Sequence, residues 1–169
     1  MLLPCLKKNL EWNQEKIIMF GREVSVPRKV AFLGDHGLCY RYSGVDHYAQ
    51  GWPDWLLSIK QEAECLSGQR FNCVLLNWYQ DGDDYMGWHS DSEVTLGPAP
   101  VVAMLSLGAQ REFVFRLKGN HKIKHTVSLT NESWLVMCES TQVLWQHSLP
   151  KRKKVKEERI SLTFRLLLF

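Results

Sequence analysis

Long apolar runs are missing from this sequence. The C-terminal LLLF at 166–169 is four residues, against the roughly 20 that cross a bilayer as a helix, so no membrane span is expected. The opening MLLPCLKKNL is broken by Pro4 and Lys7 before a signal-peptide core can form, and secretion is not expected either. There is no CxxC pair. The five cysteines (Cys5, Cys39, Cys65, Cys73, Cys138) are odd in number and scattered, which argues against a disulfide framework or a cysteine zinc site and for a reducing compartment. A strong charge of either sign is also lacking. The balance of 21 Lys and Arg against 18 Asp and Glu leaves +3, which permits an anionic partner without requiring one. Linkers, low-complexity tracts and internal repeats are absent, so the 169 residues read as one domain, long enough to bury a core.

The residues that are present alternate more than they coil. PDWLLSIKQEAECLSG (53–68) is the clearest helix, with Trp55, Leu56, Ile59, Ala63 and Leu66 on one stripe and Gly68 as its stop. Around it, strands are expected at 71–79, 101–108, 111–117, 125–129, 134–138 and 159–168, from β-branched and aromatic runs separated by turn residues. KIIMFGREVSVP (16–27) reads as a hairpin turning near Phe20 and Gly21. Many short strands at close spacing predict a mainly β fold: a sandwich, barrel or jelly roll.

Chemistry enters at MGWHSDSEVTLG (86–97). On a strand, residues two apart share a face, so His89 and Asp91 project together. They would be two-thirds of a 2-His-1-carboxylate triad, which leaves open positions for oxygen chemistry on Fe(II). Alone, the pair reads more simply as two polar residues of a solvated loop. A third ligand is offered by His147 in LWQHSLPK, whereas His36, His47, His121 and His125 stand in polar or turn-like settings. RISLTFR (159–165) alternates cleanly, with Arg159, Ser161, Thr163 and Arg165 on one face and Ile160, Leu162 and Phe164 on the other. The polar face suits a half-exposed strand. It equally suits a dicarboxylate clamp, since arginine pairs bidentately with carboxylate. Asn77 and Tyr79 likewise share a face in LLNWY.

Together these residues resemble the AlkB family of Fe(II)- and 2-oxoglutarate-dependent nucleic-acid dealkylating dioxygenases. VPRKVAFLGDHGLCYRYSG, FNCVLLNWYQDGDD, GWHSDSE, APVVAMLSLGAQREFVFR, WQHSLPK and RISLTFR look like the family's segments, in the same order, from about Leu10 onward. The resemblance implies a double-stranded β-helix, a jelly-roll variant, spanning about 70–169. Within the same domain, a nucleotide-recognition lid and base pocket would occupy about 10–50, with a flanking helix. It implies Fe(II) on His89, Asp91 and His147, with O₂ as co-reactant. Arg159 and Tyr79 would hold the distal carboxylate of 2-oxoglutarate, Arg165 and Asn77 would lie near its other end, and Ser161 and Thr163 would line that face. On the substrate side it implies a lid tip at Phe20, Gly21 and Arg22, a base pocket with Tyr40, Arg41 and Tyr42, and Glu93 near the base edge. Aromatic faces hold a base once it has left the stack.

The implied reaction is oxidative dealkylation of N-alkylated bases of the 1-methyladenine and 3-methylcytosine type. It is coupled to decarboxylation of 2-oxoglutarate to succinate and CO₂. DNA is favoured over RNA as partner, and the protein is expected to be a monomer, cytoplasmic in a bacterium and nuclear in a eukaryote. The alternatives are an RNA or protein demethylase of the same chemistry, or a non-catalytic nucleic-acid-binding module. The complete iron and cosubstrate sets argue against the last, and the aromatic pocket and the basic KRKKVKEER run (151–159) argue against a protein substrate. Two departures from the family stand out: Ser92 where relatives often have a second acid, and TNESWLVM (130–137) where many have a Gly-rich turn.

Overall fold

The stripe expected at 53–68 forms helix α2 (Asp54–Ser67). It ends at Gly68, whose φ of 68° is left-handed and whose N–H returns to the Glu64 carbonyl, a position where only glycine is unstrained. Leu56 and Ala63 are buried, but Leu66 is 52% exposed. The buried stripe ends a turn before the apolar pattern does, because hydrophobicity alone does not supply a partner surface.

The computed structural model describes residues 2–19, 21–42 and 45–168, with the side chains of 17–19, 22, 23 and 42 left outside that set. Among the described residues, twelve strands follow in chain order: β1 (Asn13–Met19), β2 (Arg22–Gly34), β3 (Cys39–Tyr42), β4 (Val45–Tyr48), β5 (Cys73–Tyr79), β6 (Met86–His89), β7 (Val102–Gly108), β8 (Arg111–Leu117), β9 (Asn120–Leu129), β10 (Ser133–Met137), β11 (Trp145–Leu149) and β12 (Arg159–Arg165). Two short helices, α1 (Leu2–Asn9) and α3 (Glu139–Leu144), complete the described elements. A six-stranded sheet runs β1-β2-β5-β12-β7-β10, a four-stranded sheet runs β6-β11-β8-β9, and β3 pairs with β4. This is the expected jelly-roll. Tyr79, Val102 and Met104 of the larger sheet pack against Phe113, Phe115 and Leu149 of the smaller one. The larger sheet's other face, with Val74, Leu76, Leu105 and Leu162, is covered by Leu6 of α1 and by Leu56 and Ala63 of α2.

Several elements differ from expectation. Pro4 does not prevent a helix: it lies in the first turn of α1, where no backbone donor is needed. β9 begins at Asn120 rather than 125. Nearly all its residues are exposed, and the added residues 120–124 hold one apolar side chain, Ile123, so nothing in them marks a strand before it pairs with β8. β12 stops at Arg165, and all seven of its residues are buried. It is therefore not half-exposed: it lies between β5 and β7, and its polar face looks into the molecule.

β1 and β2 form the expected hairpin, with Met19 opposite Arg22. Gly21 takes a φ of 73° at the turn, and Phe20 lies outside the described residues. The register slips between Gln14 and Lys16, opposite residues 26–28. Pro27, with no N–H to donate, accounts for the break. The bulge turns Arg28 inward, to 5% exposure.

Candidate metal and cosubstrate site

The three ligands predicted from sequence come together. His89 closes β6, Asp91 follows two residues on, and His147 lies in β11 directly opposite His89. Their donor atoms all lie within 4.8 Å of one another. The two Nε2 atoms are 3.1 Å apart, and Asp91 Oδ2 is 3.7 Å from His147 Nε2.

These residues fit an ion. His89 Nδ1 donates to the Gly87 carbonyl at 2.9 Å, which leaves its Nε2 as a lone pair. Two Nε2 atoms this close need a positive centre between them, a proton or a metal. Their spacing is that of two nitrogens each about 2.1 Å from one ion and at right angles. His147 Nδ1 is buried without a hydrogen-bond partner. The ring is held instead by stacking on Phe113 at 5.2 Å.

Asp91 is the best-anchored of the three. Oδ1 accepts from Arg165 Nη2 at 2.7 Å and Nε at 3.2 Å. Gln142 of α3 grips the other side. Its Oε1 accepts from the Asp91 N–H at 2.9 Å, and its Nε2 donates to Asp91 Oδ2 at 3.1 Å. The backbone donor fixes which way the amide points, so the NH₂ group must meet the carboxylate. Gln142, which the sequence reading missed, thus orients the ligand carboxylate. Replacing it with leucine is expected to weaken Fe(II) or Co(II) binding roughly 10- to 100-fold, read by titration calorimetry. An unchanged dissociation constant would remove Gln142 from this role.

Burial by itself would raise the Asp91 carboxyl, but Arg165, His147 and His89 outweigh it and hold it at about 2. His147 is driven down to about 3, by burial first and then by His89. Both shifts act in the same direction. The unfolded chain takes up a proton on His147 below its usual 6.5, while the folded one resists until about 3. The Asp91 contribution is complete above the ordinary carboxylate pKa and lost as pH falls toward 2. Each unit is worth about 1.4 kcal/mol, so the metal-free protein is expected to lose several kcal/mol between pH 6.5 and 3. Melting temperatures across that range test this. Added metal should protect most near neutrality, where protons compete least.

The cosubstrate face assembles across three strands. Tyr79 pairs with Arg159, and Asn77 with Ser161. Asn77, Tyr79, Arg159, Ser161, Thr163 and Arg165 are all buried. Arg159 is 1% exposed, donates through Nε to Ser106 Oγ at 2.9 Å, and lies 5.3 Å from the centre of the Tyr79 ring. Burial lowers its pKa, with Tyr79 opposing, to about 10, so it stays charged at neutral pH. Among the described residues no carboxylate forms an ion pair with it. A buried guanidinium without a protein anion is suited to an anionic ligand.

Two more buried arginines were not anticipated. Arg28 donates to Asn77 Oδ1 at 2.7 Å. Arg111 donates through Nη1 and Nη2 to the Asp81, Asp84 and Pro150 carbonyls at 2.9–3.1 Å, while its Nε is buried without a hydrogen-bond partner. Arg28 follows a proline, and Arg111 opens an alternating strand. Neither signal distinguishes an inward arginine from an outward one.

The substrate-side residues are more dispersed. Tyr40 is fully buried, with its ring 5.8 Å from Phe32 and 6.0 Å from the Arg165 guanidinium. Arg41 points the other way and pairs with Asp46 at 3.4 Å. Glu93 is half-buried before a 3₁₀ turn at Val94–Leu96, and its Oε2 has no hydrogen-bond partner. Gly21 is exposed at the hairpin turn. The side chains of Arg22 and Tyr42, like Phe20, lie outside the described residues. In the basic run, Arg152 pairs with Glu112 and Lys151 sits 4.9 Å over the Tyr85 ring, while Lys153, Lys154 and Lys156 are exposed.

A jelly-roll holding two histidines and a carboxylate at one point, beside buried arginines, defines a metal-dependent oxygenase scaffold. The model of the 2OG-Fe(II) oxygenase superfamily matches residues 1–165, and the chain belongs to that superfamily and, within it, to the AlkB family. The DNA oxidative demethylase ALKBH2 of Homo sapiens is 41% identical over 160 residues, 90% of this chain and 61% of that protein. The alpha-ketoglutarate-dependent dioxygenase alkB homolog 3 of Rattus norvegicus is 36% identical over 175 residues, 97% of this chain and 58% of that protein. The chain spans about three-fifths of the length of the curated relatives it matches. The solved structure of OsALKBH1 superposes with a TM-score of 0.60 at 17% identity, covering 90% of this chain and 80% of that one. Family membership implies Fe(II), 2-oxoglutarate and O₂ as cofactor and co-reactants. No helix among the described residues is long and apolar enough to cross a membrane.

Proposed function

We propose that this chain removes N-linked alkyl groups from damaged bases in DNA, of the 1-methyladenine and 3-methylcytosine type, with 2-oxoglutarate consumed to succinate and CO₂. The observation that carries the reading is the meeting of His89, Asp91 and His147 in a fold that also buries Arg159, a cation with no carboxylate in an ion pair with it among the described residues. Similarity to the demethylases named above supports the substrate class. Bound at the triad, Fe(II) supplies the oxidising chemistry that hydroxylates the alkyl carbon, and the hemiaminal so formed splits into an aldehyde and the repaired base.

The chain's own residues do the positioning. Arg159, with Tyr79, takes the distal carboxylate of 2-oxoglutarate through charge-assisted bonds. Arg165 neutralises Asp91 Oδ1 and leaves Oδ2 toward the histidines. Asn77, held by Arg28, and the Ser161 and Thr163 hydroxyls line the same face. Phe113, Phe115 and Met104 keep bulk water from the centre. Tyr42 stacks on the flipped base, with Glu93 at the rim of the pocket and the buried Tyr40 behind it, while Arg41, on the opposite face of the strand, stays outside. The tip at Phe20, Gly21 and Arg22 meets the nucleic acid. Lid and jelly-roll form one domain working as a monomer, in the nucleus of a eukaryote or the cytoplasm of a bacterium.

The test is incubation with Fe(II), ascorbate, 2-oxoglutarate and oligonucleotides carrying 1-methyladenine or 3-methylcytosine, followed by mass spectrometry. Loss of the methyl group with equimolar succinate is expected. Parallel RNA and methyl-lysine peptide arms decide the polymer. Repair of neither nucleic acid would end the reading.

A further inference from the structure

A cavity of about 680 Å³ lies apart from the site described above and contains none of the metal or cosubstrate residues. Its floor is the β2 edge from Val30 to Leu33, and its walls come from residues 9–15 and 45–53. That volume falls in the range of small-ligand sites.

Three independent features define what it would hold. The first is Glu15, the residue at the β1 bulge opposite 26–28. Bulges re-aim side chains, and this carboxylate lines the cavity with its side chain 3% exposed. Neither of its oxygens has a hydrogen-bond partner. His47 Nε2 lies 3.0 Å from Oε1 but is not aligned to bond with it. A buried carboxylate without donors is costly and needs an explanation.

The second feature is the floor itself. Val30 is the last β2 residue paired to β1, and Gly34 bridges to Gly51. The edge between them has no strand partner among the described residues.

The third is charge. No lysine or arginine lines the cavity, although the chain has 21. Glu11 adds acid, Asp46 is already paired with Arg41, and Phe32, Tyr48 and Trp52 add aromatic surface. Phosphate is excluded and a cation is favoured.

We propose that this cavity is a binding site for a guanidinium group, with both Glu15 oxygens accepting from its planar fork. A guanidinium matches the site better than an ammonium, because it donates two parallel bonds to one carboxylate and stacks on aromatic faces. The group can come from a free small cation or from an arginine in an extended peptide laid along the open β2 edge.

The experiment uses the full chain without metal or 2-oxoglutarate, so its outcome is separate from that of the dealkylation assay. Agmatine, a Gly-Gly-Arg-Gly-Gly peptide and its citrulline counterpart are titrated at low salt and followed by amide NMR and calorimetry. Saturable binding is expected for the two guanidinium probes, with shifts centred on Glu15, His47 and Phe32. Glu15→Gln and Glu15→Ala should each weaken it about tenfold or more, as loss of a charge-assisted contact requires. Glu15→Gln keeps the shape of the side chain and removes a buried charge that accepts no hydrogen bond, so its melting temperature should stay close to the parental value. A peptide that binds tenfold tighter than agmatine assigns the site to an arginine-bearing segment, and equal affinity assigns it to a free cation. Absence of saturation, citrulline binding equal to arginine, or undiminished affinity in both variants overturns the proposal.

Discussion

His147→Ala is expected to abolish metal-dependent turnover in a protein that still folds. The side chain is 2% exposed, opposite His89 in the strand register. It supplies one of the two nitrogen donors of the cluster among the described residues. Disturbing a residue that merely supports a ligand typically costs 10- to 100-fold, so loss of the ligand itself should exceed about 100-fold in succinate yield. Folding should survive, because the neutral imidazole contributes packing on Phe113 rather than a hydrogen bond through Nδ1. The variant has a second signature. Without the buried imidazole, much of the stability loss between pH 6.5 and 3 should disappear from the metal-free protein. Succinate formation, metal titration and pH-dependent melting on one preparation provide the check. A normal succinate yield would sink the ligand assignment.

Arg159→Ala should weaken 2-oxoglutarate binding about 30-fold or more. Truncating one partner of a buried, hydrogen-bonded charge pair costs about 2–5 kcal/mol, and each 1.4 kcal/mol is a decade. Arg159 meets the premise: it is 1% exposed, bonded to Ser106, and has no carboxylate of the chain in an ion pair among the described residues. Stability without cosubstrate should move the other way or hardly at all, since an uncompensated buried cation is removed. The stabilisation that 2-oxoglutarate gives the parent by binding only the folded state should vanish. Arg159→Lys keeps the charge without the fork and should fall between. Calorimetry showing parental affinity in Arg159→Ala would refute the clamp.

These outcomes depend on residues that differed greatly in how visible they were beforehand. His89-x-Asp91 and RISLTFR carry period-two spacing, and a strand converts that spacing into a shared face whatever surrounds it. The helix at 53–68 was equally plain, since its stripe and its glycine stop are local. The β9 residues before 125 and the helix α1 were not legible. The first is an exposed edge with a single apolar residue, Ile123, before 125, and the second carries Pro4 in its first turn, which interrupts any helical pattern in the sequence.

By itself, the sequence determined the strand-rich class, the shared face of His89 and Asp91 and the polar face of β12, and, through resemblance, the family and the three ligand identities. The first three are encoded in residue type and spacing along one segment at a time. Tertiary structure alone decided that β12 is buried on both faces, that Gln142 holds Asp91 from 51 residues away, and that Arg28 and Arg111 point inward. It alone decided that Glu15, one acid among 18, is turned into a cavity without a donor. The physical reason is common to all four. Burial and pairing are set by which distant strand or helix lies alongside, and an isolated polar residue carries no periodic mark of its partner.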